Sequence, residues 1–352
     1  MLCCVHVDDI TLVWNKAGTE LERLITKTLG KHVTVKDLGE PEWVVKARIY
    51  RDREGGTLKI SQENFTWETL GRYNLLDLKE ASTPFDLNAT LPCPKDVPDS
   101  EVEQLKNHPI RELIGCYLWL VMISRPDLAV AVHMATRAQH RPSWALWHWL
   151  IRIARYLKAT AHWGLVYKRP KDLDATRLLE MWVDVSFAPQ VEFNQGKSII
   201  GYLVKFCGAT TTWSVARSTR TPDSSSEAEA HGLNQARKEN RWQLDLQYYL
   251  QIFKPSGPTM IHEDNTAVIT LGGAPTFHKR TKHFGIEWYA TREAIALKEL
   301  ELEYIASEDQ IADFLTKPLG GHLFQKHRAA MMGGEKDQLL FGKIGPQKPF
   351  PK

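Results

Sequence analysis

The chain has 352 residues, enough for two domains of about 150 residues each. Hydrophobic residues make up 43% and charged residues 25%, which excludes a disordered, collagenous or coiled-coil protein. Lys+Arg 45 against Asp+Glu 42 leaves a formal charge of +3, so net charge names no partner, and nucleic-acid affinity has to come from local basic clusters.

The N-terminal stretch Met1-Leu2-Cys3-Cys4-Val5-His6-Val7-Asp8-Asp9 has neither a basic n-region nor a long apolar core, so it is not read as a signal peptide. It reads as a strand running at once into two carboxylates. A domain rarely starts that way, so a missing front is expected. Cys3–Val7 and Ile10–Trp14 flank Asp8-Asp9 like the strands of a hairpin. Gly18 to Leu29 is predicted helical from Leu21, Leu24, Ile25 and Leu29. Trp43 to Tyr50 reads as one strand, Gly55-Gly56 as a turn and Thr57 to Ile60 as another strand, with Ser61 placed to cap a following helix. Residues 81–109 carry Pro84, Pro92, Pro94, Pro98 and Pro109 and read as a linker.

Residues 110–160 return to helix. Trp144, Trp147, Leu150, Ile151, Ala154 and Leu157 form a stripe at helical spacing, with Arg152, Arg155 and Lys158 facing away. The longest apolar run, Leu113 to Ile123, is too short for a membrane span of about 20 residues. Cys3, Cys4, Cys93, Cys116 and Cys207 form no Cys-x-x-Cys pair, which argues against a disulfide framework or zinc ribbon and for a reducing compartment.

From about residue 177 the pattern changes. Strands are predicted at Leu178–Phe187, Ser198–Cys207 and Thr210–Val215, then a long helix from Glu227 to about Phe253. A strand at Thr259–His262, helices at Thr266–Leu271 and Lys282–Leu300, a strand at Leu302–Ile305 and a helix at Asp309–Thr316 follow. A short helix and a Gly/Pro/Lys tail close the chain, making 320–352 a C-terminal extension. Trp144, Trp147 and Trp149 read as helix packing rather than base stacking. Trp213 and Trp242 are expected to pack the sheet against the long helix.

Four carboxylates of this half sit where chemistry could use them. Asp184 is within the first strand, Glu229 in the first turn of the long helix, Asp264 just after the fourth strand and Asp313 in the last helix. Taken singly, each also reads as a solvated or capping group, and Asp264 could cap the Thr266 helix. Together, at one edge of a mixed sheet, they would repel one another, and a divalent ion with hard oxygen ligands is the usual relief. Two such ions can activate a water and stabilise a leaving phosphodiester oxygen.

The βββ-α-β-α-β-α order with these four acids resembles ribonuclease H. Trp182-Val183-Asp184, Lys197-Ser198-Ile199-Ile200-Gly201-Tyr202, Ser225-Ser226-Glu227-Ala228-Glu229-Ala230, Glu263-Asp264-Asn265, Arg280-Thr281-Lys282-His283 and Gln310-Ile311-Ala312-Asp313-Phe314-Leu315-Thr316-Lys317 look like the ribonuclease H region of copia-type retrotransposon polyproteins. His6-Val7-Asp8-Asp9-Ile10, Val35-Lys36-Asp37-Leu38-Gly39, Ser124-Arg125-Pro126-Asp127 and Ala154-Arg155-Tyr156-Leu157-Lys158 resemble the end of a reverse transcriptase palm, then thumb and connection. The series runs in family order to about residue 330.

The resemblance implies an α/β (α+β) chain. A ribonuclease H-like mixed five-stranded sheet with flanking helices (177–319) would follow a partial reverse transcriptase palm (1–80), the linker and a helical thumb/connection (110–172). It implies Asp184, Glu229, Asp264 and Asp313 as catalytic ligands of Mg²⁺, with Mn²⁺ as the alternative. Glu227 competes with Glu229. Asp8 and Asp9 match the Asp-Asp turn of an RNA-directed DNA polymerase. His6 stands where the family usually has Tyr, Lys46-Ala47 where a glycine is expected, and the strand carrying a third polymerase aspartate is absent. No polymerase activity is therefore expected from this chain alone. The loop Ala306-Ser307-Glu308 lacks the His that many ribonucleases H carry before the final Asp.

The implied function is metal-dependent hydrolysis of the RNA strand of an RNA–DNA hybrid. The alternatives are an inactive remnant that binds nucleic acid, and one part of a longer polyprotein with polymerase activity. Arg217, Arg220, Arg280 and Lys282 would neutralise phosphates, and Ser225, Ser226 and Asn265 could bond phosphates or ribose hydroxyls. The implied partners are the hybrid and the remaining parts of a Pol polyprotein, with no membrane. The implied location is cytoplasmic, in a retroelement particle, or nuclear.

Overall fold

The computed structural model of the protein describes residues 2–7, 9–14, 19–172, 177–251, 256–273 and 285–345. Strands β1 (Leu2–His6) and β2 (Asp9–Val13) form the expected antiparallel hairpin, followed by helix α1 (Thr19–Leu29). Helix α1 buries no residue, and Leu24 is 59% exposed. The segment expected as one strand is two, β3 (Trp43–Val44) and β4 (Ala47–Asp52). Val45 and Lys46 turn between them with φ of 49° and 60°. A two-residue hairpin whose twist matches its strands requires positive φ at both positions. Lys46 therefore holds a conformation that glycine adopts without strain.

Strand β5 (Thr57–Ser61) pairs with β4 and leads into α2 (Glu63–Arg72). The cap position belongs to Gln62, not Ser61, although the Ser61 hydroxyl does accept from the Glu63 amide at 3.3 Å. Helices α3 (Asp99–Leu105), α4 (Ile110–Ile123), α5 (Ala129–Ala138) and α6 (Trp144–Ala159) follow. Strand β6 (Gly164–Lys168), inside the segment expected to be helical, completes an antiparallel sheet of order β3-β4-β5-β6.

Residues 81–109 do not span open space. Phe85, Leu91, Val97 and Leu105 are buried. The cations on the outward face of α6 explain the packing. Arg152 donates to the Thr83 carbonyl, Arg155 to that of Lys79 and Lys158 to that of Leu78. Proline removes amide donors but leaves carbonyls needing partners, and α6 supplies them.

The second half contains the expected five-stranded mixed sheet, in the order β11-β10-β7-β8-β9. Its strands are β7 (Leu179–Ser186), β8 (Ile199–Phe206), β9 (Ala209–Arg217), β10 (Thr259–Glu263) and β11 (Leu300–Tyr304). β7, β10 and β11 run parallel, and β8 and β9 antiparallel to their neighbours. A short helix α7 (Val191–Asn194) lies between β7 and β8. Helix α8 (Ser225–Leu250) crosses the sheet, and α9 (Thr266–Gly273) and α10 (Gly285–Ala296) follow β10. The expected final helix is instead a 3-10 turn, Ile311–Leu315.

Successive residues of β7 enter different cores. Met181 and Val183 meet α8 through Leu233 and Ala236. Trp182 and Leu203 belong to a larger core shared with α4, α5 and α6. Trp213 joins that larger core, its indole donating to the Val121 carbonyl at 3.0 Å, so it faces away from α8. Trp242 is 56% exposed. The expectation for both tryptophans thus fails. The sheet-facing positions of α8 past Ala236 are Asn240, Gln243 and Gln247, and Gln243 donates to Thr212 of β9. A polar face tied to the sheet through Gln243, not the aromatic stripe, is what the sheet accepts there.

Helices α11 (Gly321–Met332) and α12 (Glu335–Gln338) are part of the body rather than an appendage. Phe324, Met331 and Met332 are buried in the larger core. Gln338 donates to the Gly164 carbonyl and accepts from its amide, and its own carbonyl accepts from buried Lys59. Further inside, Arg125 (1% exposed) makes paired bonds of 2.9 and 2.8 Å to Asp127, while Tyr156 donates to Asp127 at 2.6 Å. Arg328 of α11 donates to the same Tyr156 hydroxyl. No helix among the described residues is long and apolar enough to cross a membrane. Removing one member of a buried pair strands the other charge. Asp127→Ala is therefore expected to lower the unfolding free energy by about 3–5 kcal/mol in urea denaturation.

Candidate metal and nuclease site

The carboxylates of the second half meet at the C-terminal ends of β7 and β10. Asp184 comes from β7 and Asp264 directly follows β10. Glu229 lies in the second turn of α8, whose first turn is capped by Ser224: its hydroxyl accepts from the Glu227 amide at 3.2 Å. In return the Glu227 carboxylate accepts from the amide of Asp223, the residue before the cap, at 2.7 Å. That occupies Glu227 and leaves Glu229 to face the strands.

Two glycines let the elements close in. A Cβ on Gly232 would sit 2.5 Å from Val185, so its absence lets α8 lie close on β7. A Cβ on Gly201, opposite Asp184 in the register, would sit 2.7 Å from Thr316 and 2.8 Å from Leu315. The 3-10 turn carrying Asp313 occupies that space. Gln310 fixes its start: its amide nitrogen donates to the carbonyls of Val183 at 2.9 Å and His262 at 3.2 Å, bridging β7 and β10 where their ladder ends.

Asp184, Glu229 and Asp264 each offer an oxygen within 4.8 Å of the others. Asp184 and Glu229 are buried. Asp313 stands beside them but outside that group. Its Oδ1 lies 2.8 Å from Lys317 Nζ, which is 4.0 Å from Asp184 Oδ2. The Thr316 hydroxyl donates to Asp184. Ser307, on the loop without a His, donates to Asp264 at 2.7 Å.

The electrostatics follow from burial of like charges. Burial raises the Asp184 pKa, and Asp264 adds to it, against the pull of Lys317 and Thr316. Glu229 is pushed up to about 11 by burial and then by Glu263, Asp184 and Asp264. Asp313 is raised to about 7 by burial and by Asp184. Burial lowers the Lys317 pKa, but Asp184 and Asp313 outweigh it and hold the ammonium above its ordinary value.

Glu263 is the member not singled out from sequence. It is 0% exposed, accepts the Asn265 amide at 3.0 Å, and is raised to about 8 mainly by burial. The signal was present: on β10 it shares a face with Ile261, a core position, and a carboxylate there needs a reason. Asn265 rather than Asp264 caps α9, its Oδ1 accepting the Ala267 and Val268 amides. Asp264 is thereby free to face the cluster, and Asn265 has only its amide nitrogen for a substrate. Ser225 is exposed and Ser226 half-buried at the start of α8. Arg217 ends β9, and Arg220 is exposed in the following loop. Arg280, Lys282 and His283 lie outside the described residues, as does Asp8; Asp9 is exposed at the start of β2.

No protein-family model matches the chain. The Pol polyprotein of transposon RE2 from Arabidopsis thaliana is 29% identical over 323 residues, 91% of this chain and 21% of the relative. That of transposon TNT 1-94 from Nicotiana tabacum is 27% identical over 329 residues, 92% of this chain and 24% of the relative. Over nine-tenths of its length the chain is thus homologous to Pol polyproteins of copia-type retrotransposons. It spans between a fifth and a quarter of the length of the two relatives named here. Among solved structures, LC11-RNase H1, isolated from compost, aligns with 40% of this chain and 93% of its own, at 18% identity and a TM-score of 0.30.

The donor set fits a divalent cation. It is all carboxylate oxygen, and Glu229 Oε2 and Glu263 Oε2 are buried without a hydrogen-bond partner. Without metal, the raised acids bind more protons folded than unfolded. Stability should therefore fall as pH rises from about 4.5, the ordinary Glu value, through the folded value of Glu263, about 8. The melting temperature in chelator is expected to drop across that window. Glu263→Gln should flatten the drop, as should added Mg²⁺.

Proposed function

We propose that this chain hydrolyses the RNA strand of RNA–DNA hybrids with Mg²⁺, through residues 177–319. The observation that carries the reading is the convergence of Asp184, Glu229 and Asp264 within 4.8 Å, the first two of them buried. Three carboxylates are held together there at an electrostatic cost that only a cation or protons can offset. The similarity of the chain to Pol polyproteins over nine-tenths of its length supports the same reading.

Asp184, Glu229 and Asp264 would hold the ion, and Asp313 would be recruited when Lys317 gives way. Bound Mg²⁺ supplies activation of a water and charge neutralisation at the scissile phosphodiester. The chain's own groups do the rest. Thr316 and Lys317 orient Asp184, Ser307 orients Asp264, and Gln310 holds the turn bearing Asp313. Ser225, Ser226 and the Asn265 amide nitrogen stand near enough in sequence to the ligands to meet the sugar–phosphate backbone.

The full chain is expected to cut the RNA strand of a hybrid with Mg²⁺ or Mn²⁺ and not in chelator. Asp264→Asn should lower the rate by more than about 100-fold while the circular dichroism spectrum stays unchanged. Folded wild-type protein that binds hybrid without metal-dependent cleavage would favour the inactive remnant. A second, finer expectation concerns Gln310. Gln310→Leu keeps the shape but removes both bridging bonds, so it should lower kcat more than it raises KM.

A further inference from the structure

A cavity of about 600 Å³ lies between the helical half and the sheet, away from the carboxylates. Lys95, Arg137, His140 and Arg217 line it, with Glu192 as the carboxylate in its wall. Arg137 comes from α5 and Arg217 from the end of β9, so the two halves contribute one guanidinium each. Both are held by neutral acceptors on the same short segment. Arg137 donates to the Asn194 side chain and, at 2.8 Å, to the Phe193 carbonyl; Arg217 donates to Gln195 Oε1 at 3.4 Å. Cys93 Sγ donates to the Glu192 carbonyl at 3.7 Å and brings the Lys95 segment to the same place.

None of Lys95, Arg137 and Arg217 has an ion-pair partner among the described residues. Neutral acceptors fix a guanidinium in space without cancelling its charge, so the cavity is an ordered region of positive potential. The neighbours register that potential. Burial and then Arg217 lower Arg137 to about 10. His133, one turn before Arg137 on α5, falls to about 4 through burial and then the charges of Arg137 and Arg217.

The strand register relates this cavity to the carboxylates. Asp184, Gly201 and Val215 stand opposite one another across β7, β8 and β9. Arg217 is two residues beyond Val215 and on the same face. Strand spacing and rise put it about 12 Å from Asp184 along the backbone. That separation suits one polyanion crossing both places.

We propose that this cavity is a phosphate-binding site for the backbone of the nucleic acid engaged at the carboxylates, with Arg137 and Arg217 as its paired donors and Lys95 at its rim. The proposal deepens the reading of the chain as a hybrid-processing enzyme and rests on it. Arginine forks match phosphate oxygens in geometry and charge.

Fluorescence anisotropy of a labelled RNA–DNA hybrid with the full chain, in chelator so that no cutting occurs, tests it. Measured from about 50 to 200 mM salt, the slope of log affinity against log salt should shrink by roughly 0.9 for each phosphate no longer neutralised. Arg217→Gln and Lys95→Gln should each weaken binding and flatten the slope. Lys95 is exposed and makes no hydrogen bond among the described residues, so its variant keeps the test valid if Arg137→Gln fails to fold. Arg53→Gln, a cation elsewhere on the surface, should change neither. Folded Arg217→Gln and Lys95→Gln variants with the wild-type slope overturn the proposal, as does wild-type binding that ignores salt. Asp264→Asn separates the two readings: it should abolish cutting and keep the wild-type slope. A wild-type chain that binds through the cavity but never cuts leaves this site standing and removes the hydrolytic reading; one that cuts with an unchanged slope in the variants does the reverse.

Discussion

The structure of the second half is organised around the repulsion of carboxylates packed at the ends of two parallel strands. Asp184, Glu229, Glu263, Asp264 and Asp313 gather where water is largely excluded, with one ammonium, Lys317, among them. Such a cluster persists only if its backbone is held by stronger constraints than the charges can break. The constraints are visible. Gly232 allows α8 onto β7, Gly201 gives room to the 3-10 turn, and Gln310 stitches that turn to both strands. The stability of the sheet and helix thereby maintains an arrangement that the side chains alone would not choose.

The helical half is not a separate body attached by a linker. The larger core runs from Leu70 to Met332 and includes Trp182, Leu203 and Phe314 of the sheet half. The face of β7 that presents Asp184 is the same face that packs on this core. Positioning of the carboxylates therefore depends on α4, α5 and α6 as well as on the sheet. Buried polar chains add direction to this apolar contact: Arg125, Asp127, Tyr156 and Arg328 link the connection helices to α11. The hairpin β1–β2 and helix α1, by contrast, bury little and stand apart from both sheets.

Much of the sheet half was legible in the sequence because its signals are local. Runs of apolar residues separated by glycine and polar turns marked the strands, and the Ser-rich approach to Glu227 marked a helix start. Asp184, Glu229 and Asp264 could be picked out because their places in that order are distinctive. Three of the readings that failed show what residue type alone does not reveal. Proline content suggested a free linker at 81–109, but its Thr83 carbonyl finds Arg152 on α6 and its Phe85, Leu91, Val97 and Leu105 are buried. The aromatic stripe of α8 suggested a packing face, but the sheet meets Gln243 through a hydrogen bond. Trp43 to Tyr50 read as continuous strand, but Val45 and Lys46 adopt positive φ that their residue types do not advertise.

By itself the sequence determined the order of elements, the chemistry of the acidic groups and the family in which that combination occurs, because these depend on residue type and near-neighbour spacing. Only the tertiary structure decided which carboxylates share a site. It separated Glu229 from Glu227, added Glu263, and placed Asp313 with Lys317 beside the main group rather than in it. It also brought Arg137 and Arg217 to one cavity from positions 80 residues apart. Distances between side chains on different elements are set by packing, register and the absence of a Cβ at two glycines, and these are properties of the whole fold.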